Sequence, residues 1–147
     1  MATQNIMKLN VTSTQRLTPN MQRVLFSGED LANLPDNSDG DYFKFLFHSN
    51  GNAIQSLEEL EAIECRPVLR TYTVAEFNAQ TLTLAVDFVI HGDGKHGGPA
   101  SNWAQNAEPN DTIIIRGTGQ VKSLTAAADW FLLVSDMTGL PALKAKL

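Results

Sequence analysis

The chain has 147 residues, of which 43% are hydrophobic and 18% charged, and this length and composition fit one ordinary well-buried globular domain. Its net charge of −5 at pH 7 argues against a general nucleic-acid binder or a basic membrane-surface protein, so we expect neither nucleic acid nor membrane as a partner. The single Cys65 excludes an internal disulfide framework and a cysteine-based zinc site, and it favours a reducing compartment.

The amino-terminal stretch does not have the features of a secretion signal. MATQNIMKLNVTS contains no basic region followed by an apolar core. The apolar runs elsewhere in the chain are far shorter than the roughly 20 residues that a membrane-spanning helix needs. The sequence therefore predicts a soluble, cytoplasmic protein.

The first part of the chain has the patterns of β-strands. In IMKLNVTSTQRLT, Met7, Leu9 and Val11 alternate with polar residues, and the run ends at the turn signal TPN. MQRVLFSG and YFKFLFH are predicted to be the next two strands, because aromatic and β-branched residues favour a pleated surface. The segment between them, GEDLANLPDNSDGD, is predicted to be a loop.

A short helix and further strands follow. Leucine and isoleucine have helical spacing in AIQSLEELEAIE, and the runs RPVLRTYTVAEF and TLTLAVDFVIH, joined by NAQ, predict a β-hairpin. A glycine-rich loop leads to PASNWAQNA, a short helix with proline at its first position, and DTIIIRGTG is a further strand. About six strands up to Ser123 predict a mainly β fold, a closed or nearly closed six-stranded antiparallel barrel.

The pattern changes after TAAADW. The run WFLLVSDMTGLPALKAKL is first continuously apolar and then rich in helix-forming residues, which is typical of a parallel strand buried on both faces and followed by a helix. A strand, turn and helix of this kind begin a nucleotide-binding α/β domain. We therefore predict a barrel domain over 1–124 and the first βα unit of a truncated α/β domain over 125–147, and we expect the chain to be a fragment.

The segment HGDGKHGGPASNWAQ is a candidate phosphate site. If Gly98 caps the helix, the amides of Ala100, Ser101 and Asn102 are unpaired, and such a helix start binds phosphate. The Ser101 hydroxyl would add a donor. A hairpin loop followed by a capped helix explains the same residues equally well. Local positive charge would come from Arg70, His91, Lys95 and His96.

In the predicted strand RTYT, Arg70 and Tyr72 share one face. A guanidinium can hold a phosphate through two hydrogen bonds, and a tyrosine ring offers a flat surface, so the pair suits a ligand with a phosphate at one end and an aromatic ring at the other. A surface arginine beside a half-buried tyrosine is the alternative explanation. Trp103 is predicted to be a packing residue, with an aromatic contact to flavin or adenine as its alternative.

Two other kinds of site are weaker hypotheses. A metal site of His91, Asp93 and His96 would have no evident fourth ligand. A catalytic triad of Ser101, His91 and Asp87 would be without the strained G-x-S-x-G turn that such a serine needs. We therefore expect no metal ion and no catalytic side chain.

Five segments, in this order, carry a family resemblance: LTPNMQRVLFSGEDL (Leu17–Leu31), RTYTV (Arg70–Val74), VDFVIHG (Val86–Gly92), GPASNWA (Gly98–Ala104) and SDMTGLPA (Ser135–Ala142). Together they resemble the siderophore-interacting protein family, flavin-containing ferric-siderophore reductases within the ferredoxin-reductase-like group. RTYT alone indicates the wider flavin-reductase group, whereas its combination with DFVIHG and GPASNWA is specific to the siderophore branch. The family usually reads YTVR where this chain has Ala75 in place of the arginine.

The resemblance implies an FAD site. Arg70 would bind the pyrophosphate, Tyr72 would pack along the flavin and ribityl chain, and Thr73 would approach the N5 and O4 edge of the flavin. The start of the helix at Pro99 would hold the diphosphate, and Thr138 would lie beside the flavin in the first turn of the second domain. The implied cofactor contacts are Arg70, Thr71, Tyr72, Thr73, Asp87, Phe88, Val89, His91, Gly98, Pro99, Ala100, Ser101, Trp103 and Thr138.

The resemblance also implies an activity. NAD(P)H would reduce bound FAD, which would pass electrons to the Fe(III) of a ferric siderophore, the small-molecule partner, and so release the iron. The nicotinamide domain, and any lysines that attract an anionic siderophore, are expected outside this chain, so the chain alone is expected to be inactive with NAD(P)H. The alternatives are a flavin-binding module without turnover, a flavin reductase with another acceptor, and a barrel that carries an apolar ligand.

Overall fold

The computed structural model describes residues 5–92, 96–120 and 126–147. A 3-10 helix occupies Glu29–Asn33, within the segment that was predicted to be a loop. The strands are β1 (Ile6–Thr18), β2 (Met21–Ser27), β3 (Tyr42–Phe47), β4 (Val68–Thr73), β5 (Glu76–Asn78), β6 (Thr83–Val89) and β7 (Thr112–Gly119). The α-helices are α1 (Leu57–Glu61), α2 (Pro99–Asn106) and α3 (Leu140–Lys144).

All strands of the described chain form one antiparallel sheet. Their order is β4-β3-β7-β1-β2-β6-β5, which confirms the mainly β, antiparallel prediction. The run RPVLRTYTVAEF, predicted to be one strand, is divided at Val74 and Ala75 into β4, which pairs with β3, and β5, which pairs with β6. The predicted hairpin is therefore formed by β5 and β6 alone, and the described sheet has seven strands.

The sheet is open between β4 and β6. The chain bends after β4, at Val74, whose amide donates to the Asp41 carbonyl at 2.8 Å. The amide of the next residue, Ala75, donates to the Ala85 carbonyl of β6 at 2.9 Å, so pairing with β6 begins only after this bend. Side chains meet across the gap, where the ring centroids of Tyr72 and Phe88 lie 4.5 Å apart. The predicted closed or nearly closed barrel is therefore an open one, because the chain turns before β4 can pair with β6.

Aromatic side chains form much of the core enclosed by the curved sheet. Met7, Leu9 and Val11 of β1 are buried, as their alternation predicted. Burying a side chain of this size contributes about 1.5–3 kcal/mol, so the core is the main source of stability. The fully buried aromatic residues are Phe26, Phe43, Phe45, Phe47 and Phe88.

The carboxy-terminal segment has less regular structure than predicted. Residues 126–139 form no helix or strand, and Trp130, Leu132 and Val134 are 77%, 78% and 81% exposed. A strand needs neighbours for its backbone hydrogen bonds, and none of the described strands lies beside this run, which explains why the predicted buried strand is not formed. The helix that was predicted after it is α3. No helix of the described residues is long and apolar enough to cross a membrane.

Candidate functional site

The side chains of Arg70 and Tyr72 lie on the same face of β4. Their partners across the ladder are Phe45 and Phe43, which are both buried, so both positions face the inside of the curved sheet. Because β4 is at the open edge, the Arg70 guanidinium is exposed; it donates from Nη1 to the Leu69 carbonyl at 2.9 Å. A guanidinium has five N–H donors, so most of its capacity remains for a ligand.

Tyr72 is half-buried between β4 and β6. Its ring packs against Phe88 and lies edge-on to Phe45, with a centroid separation of 5.6 Å from the latter. Burial raises the pKa of the Tyr72 hydroxyl to about 12, so the group stays neutral at physiological pH. Tyr72 therefore offers an uncharged aromatic surface beside the exposed guanidinium.

A cavity of about 380 Å³ lies at the gap between β4 and β6. It is of a size that suits part of a cofactor. All of its lining residues except Pro141 were predicted as cofactor contacts. The lining residues are Arg70, Thr71, Tyr72, Thr73, Asp87, Val89, His91, Thr138 and Pro141. We refer to this space as the β4–β6 cavity.

Helix α2 begins as predicted, with one difference. Gly98 is the N-cap in an extended conformation, and Pro99 is the first helical residue. The Asn102 amide donates to the Gly98 carbonyl at 3.0 Å, so the prediction that this amide is unpaired is wrong: it makes the first bond within the helix. Ala100 and Ser101 precede that bond, and their amides have no acceptor inside the helix.

The Ser101 hydroxyl connects the start of α2 to the end of β6. It accepts a hydrogen bond from the His91 amide at 3.1 Å and donates to the His91 carbonyl at 3.2 Å. His91 lines the β4–β6 cavity, so these bonds bring the helix start to the edge of that cavity. The hydroxyl contacts the backbone of His91, which also argues against the Ser101–His91–Asp87 triad.

Close backbone packing shapes the glycine-rich loop. Gly92 has φ of +76°, a conformation that favours glycine, and a Cβ on Gly97 would lie 2.9 Å from the His91 carbonyl oxygen and collide with the Asn102 side chain. Asp93 and Lys95, which the sequence predictions also used, are outside the described residues. Among the described residues there is no group of three or more histidine, cysteine or acidic side chains that would hold a metal ion.

Asp87 and Phe88 contribute to the site in different ways. Asp87 accepts two hydrogen bonds from Arg23, at 2.7 Å from Nε and 3.0 Å from Nη2, and this contact raises the pKa of the arginine further above its usual range. The Arg23 charge therefore neutralises the carboxylate that lines the cavity. Phe88 is fully buried and supports the Tyr72 ring from behind.

Trp103 packs in the core and does not line the β4–β6 cavity. Its ring is nearly parallel to that of Phe26, with centroids 6.0 Å apart, and it also contacts Phe45 and Phe88. This agrees with the prediction of a packing residue. Its remaining exposed surface faces a different cavity, which lies along α2.

A turn before α3 places Thr138 at the cavity. Asp136 Oδ1 accepts from the Thr138 hydroxyl at 2.6 Å and from the Gly139 amide at 2.9 Å. Both bonds lower the pKa of the Asp136 carboxyl, and the bond from Thr138 has the larger effect. Pro141 in the following helix is buried, and Lys144 Nζ lies 3.8 Å from a Glu76 carboxylate oxygen. The Lys144–Glu76 contact places α3 beside β5.

The sequence predictions missed a pair of cations on the outer face of the sheet. Lys44 of β3 lies opposite Arg116 of β7 on one side and opposite Thr71 of β4 on the other. Neither cation belongs to an ion pair among the described residues. Alternation along each strand was the available signal, but it does not reveal that β3 and β7 are neighbours.

Comparison with known proteins identifies the family. A family model described as the siderophore-interacting FAD-binding domain matches residues 10–121. Ferric vibriobactin reductase ViuB of Vibrio cholerae is 33% identical over 142 residues, which are 93% of this chain and 51% of the relative. The NADPH-dependent ferric-chelate reductase of Escherichia coli is 31% identical over 95% of this chain and 55% of that protein.

Solved structures agree with this result. The siderophore-interacting protein SipS from Aeromonas hydrophila has a TM-score of 0.76 and 31% identity over 97% of this chain and 53% of its own. A ferredoxin-NADP+ reductase from Neisseria gonorrhoeae with bound FAD and NADP, 15% identical with a TM-score of 0.53, shares the fold. The chain spans about half the length of the relatives that it matches. It belongs to the family of siderophore-interacting FAD-binding domains.

Proposed function

We propose that the β4–β6 cavity and the start of α2 bind FAD, and that the chain is the flavin-binding part of an NAD(P)H-dependent reductase of ferric siderophores. The observation that carries the proposal is a cavity lined by an exposed guanidinium and a half-buried tyrosine, to which the start of α2 is linked by the hydrogen bonds between Ser101 and His91. The relatives, a ferric vibriobactin reductase and a ferric-chelate reductase, support the same substrate class.

The residues fit the charged part of FAD. The Arg70 guanidinium and the amides of Ala100 and Ser101 are donors suited to a pyrophosphate, and the positive end of the α2 dipole adds to them. There is no room for a side chain at position 97, because its Cβ would collide with the His91 carbonyl and with the Asn102 side chain. The backbone at Gly97 therefore packs directly against the first turn of α2. Arg23 neutralises Asp87, which removes a carboxylate charge that would repel the phosphates.

The residues also fit the flavin part. The Tyr72 ring would pack along the ribityl chain and the flavin, held in place by Phe88 behind it. Thr73 and Thr138 line the same cavity and supply hydroxyls for the polar edge of the flavin. When bound, FAD supplies the redox chemistry, accepting a hydride from a nicotinamide and passing electrons singly to ferric iron.

The cationic pair of Lys44 and Arg116 suits the approach of an anionic ferric chelate. Lys44 is directly opposite Thr71, which lines the β4–β6 cavity, and Arg116 lies one strand further from that cavity, on β7. A local positive patch attracts an anionic substrate even when the whole molecule is acidic. On this proposal, cations of this chain attract the siderophore in addition to any that the nicotinamide domain supplies.

Residues 126–147 are proposed to be the first part of the nicotinamide-binding domain, with the boundary to the FAD-binding domain near residue 124. The Asp136–Thr138 turn and α3 would then form the wall shared by the two domains. On this proposal the chain alone does not accept a hydride from NAD(P)H. It does bind FAD and pass electrons onward.

The test uses the chain as it is. FAD is titrated into the purified protein, then reduced chemically under argon, and a ferric siderophore is added. We expect the absorbance of oxidised flavin to return while a ferrous-specific chelator traps iron, and the same siderophore loaded with redox-inert Ga(III) to have no effect. Flavin that binds but is not reoxidised would favour a module without turnover, and protein that binds no FAD would refute the proposal.

A further inference from the structure

The turn that follows β3 contains the only asparagine–glycine pair of the sequence, Asn50 and Gly51. Two backbone bonds close the turn: the His48 amide donates to the Asn52 carbonyl at 2.8 Å, and the Gly51 amide donates to the His48 carbonyl at 3.0 Å. Asn50 is exposed, and Gly51 has a φ of +90°, which glycine adopts without strain. We refer to residues 48–52 as the β3 turn.

An asparagine followed by a glycine can react without any enzyme. The backbone nitrogen of the second residue and the side-chain carbon Cγ of the first can close a five-membered ring, and a glycine has no Cβ to hinder the approach. Among the described residues, the atom nearest to a Cβ built on Gly51 would be Cβ of Pro99, 3.8 Å away. Neighbouring elements therefore leave room around the β3 turn for the ring to form.

The β3 turn also polarises the group that would be attacked. The Asn52 amide donates to Oδ1 of Asn50 at 3.0 Å. Negative charge develops on this oxygen when a nitrogen adds to Cγ, and a donor that is already in place stabilises such charge. The Gly51 nitrogen must first leave its bond to the His48 carbonyl. This is one backbone bond in a largely exposed turn, and such bonds open at low cost in free energy.

We propose that Asn50 is a site of spontaneous deamidation, an inference that is independent of the proposed function. The Gly51 nitrogen loses its proton to solvent and bonds to Cγ of Asn50, the bond from Cγ to Nδ2 breaks, and ammonia leaves with a proton taken from solvent. Water then adds to either carbonyl of the resulting succinimide. Opening at one carbonyl yields aspartate, and opening at the other yields isoaspartate, in which the main chain runs through the side-chain carbon. No group is oxidised or reduced.

The product would change the charge of the cavity of about 710 Å³ that lies along α2 and that the β3 turn lines. Among the described residues that line this cavity there is no lysine or arginine, whereas Glu59 and Asp111 already contribute carboxylates. A carboxylate at position 50 would therefore add negative charge without a counter-ion. Aspartate would keep the acceptor for the Asn52 amide, whereas isoaspartate lengthens the main chain by one carbon and so disturbs the turn.

Asn37 provides an internal comparison. It is exposed like Asn50, but the next residue, Ser38, is fully buried, and the Ser38 hydroxyl donates to the Pro35 carbonyl at 2.7 Å. The backbone nitrogen of a buried residue that carries a side chain is poorly placed to attack. We therefore expect Asn50 to deamidate at least about tenfold faster than Asn37, which corresponds to a barrier lower by about 1.4 kcal/mol.

The test incubates the purified chain at neutral and at mildly alkaline pH and follows it by anion-exchange chromatography and peptide mass spectrometry. We expect a more acidic form to appear with time, the change to map to Asn50, and the product to include isoaspartate. The reaction should be faster at the higher pH, because the attacking nitrogen must lose its proton. Asn50→Ser should abolish the acidic form, and Asn37→Ser is the matched control that should retain it.

Each outcome decides for or against the proposal. Faster conversion at Asn50 than at Asn37, with isoaspartate in the product, supports it. An unchanged Asn50, or one converted no faster than Asn37, overturns it. A product that contains aspartate and no isoaspartate also overturns it, because direct hydrolysis of the side chain would then replace ring closure by Gly51.

Discussion

At the scale of single residues, the site consists of side chains whose positions are fixed by others. Tyr72 is held by Phe88, and Asp87 by Arg23. Arg70 differs from them, because its guanidinium is exposed and donates to the carbonyl of the residue before it rather than to another side chain of the site. Such a cation contributes little to the fold, so its main effect is expected on ligand binding.

Replacing Arg70 with alanine is expected to lower the affinity for FAD by roughly 1–3 kcal/mol, the scale of a charged hydrogen bond, and to leave the free energy of unfolding nearly unchanged. Fluorescence titration with FAD and urea unfolding measure the two effects. Arg66→Ala is the matched control, since Arg66 is also exposed and precedes the same strand. Equal FAD affinity for wild type and Arg70→Ala would contradict the assignment of Arg70 to the pyrophosphate.

Two adjacent glycines are expected to differ in their tolerance of a side chain. Gly97→Ser is expected to lower the free energy of unfolding by about 1–3 kcal/mol, because its Cβ would press on the His91 carbonyl and the Asn102 side chain. In Gly98→Ser the nearest atom to the new Cβ is 3.9 Å away, and serine is a preferred N-cap, so stability should hold or rise. Urea unfolding of both variants checks this. Equal destabilisation would show that Gly97 and Gly98 are not packed as described.

At the scale of elements, helix α1 shows how a five-residue helix is stabilised. The Ser56 hydroxyl accepts from the Glu59 amide at 3.1 Å, and the Glu59 carboxylate accepts from the Gln55 amide at 2.7 Å. This arrangement resembles a capping box, which satisfies amides that no helical carbonyl reaches. His48 at the end of β3 adds a contact to the same carboxylate, so the helix is attached to the sheet.

The contacts of Glu59 predict that the free energy of unfolding depends on pH. The Gln55 amide, and next the His48 side chain, lower the pKa of the Glu59 carboxyl below its ordinary value of 4.5. A lowered pKa means that the ionised form stabilises the fold above about pH 4.5 and that this contribution is lost as the pH falls through the lowered value. Glu59→Gln should therefore reduce stability at pH 7 and have little effect at pH 3. Urea unfolding at pH 7 and at pH 3 measures the effect, with Glu61→Gln as the control. An equal loss of stability in Glu59→Gln at the two pH values would contradict the prediction.

The positions of the strands along the chain could be predicted from local patterns, whereas the pairing of one strand with another could not. Alternation in residues 6–18 gave β1 with its correct bounds and its buried face, and proline at position 99 gave the start of α2. The division of the fourth predicted strand at Val74 depends on a bond from its amide to Asp41, a residue far away in sequence. The apolar run at 130–134 has the pattern of a buried strand, but burial also requires partners, and a pattern cannot supply them.

At the scale of the whole molecule, an acidic chain brings three cations onto neighbouring strands. The net charge is −5, yet Arg70 of β4 faces the inside of the curved sheet, and Lys44 of β3 and Arg116 of β7 lie on its outer face. These strands are far apart in sequence, so the cations come together only in the folded sheet. The site residues of RTYT and GPASNWA could be predicted because family motifs mark them, whereas no motif marks Lys44 and Arg116.

The last prediction concerns how residues 126–147 relate to the sheet. Both hydrophobic clusters of the described chain consist of residues before this segment, whereas Thr138 and Pro141 line the β4–β6 cavity. Ending the chain at residue 125 is therefore expected to leave a cooperatively folded sheet, with a modest loss of stability from the contacts of α3, and to weaken FAD binding by removing one wall of the cavity.

Circular dichroism during thermal unfolding measures the stability of the shortened chain, and FAD titration measures its affinity for the cofactor. Thr138→Ala with Pro141→Ala in the full chain separates the loss of the wall from truncation itself. A shortened chain that does not fold would show that the segment is an integral part of the barrel and that the boundary near residue 124 is wrong.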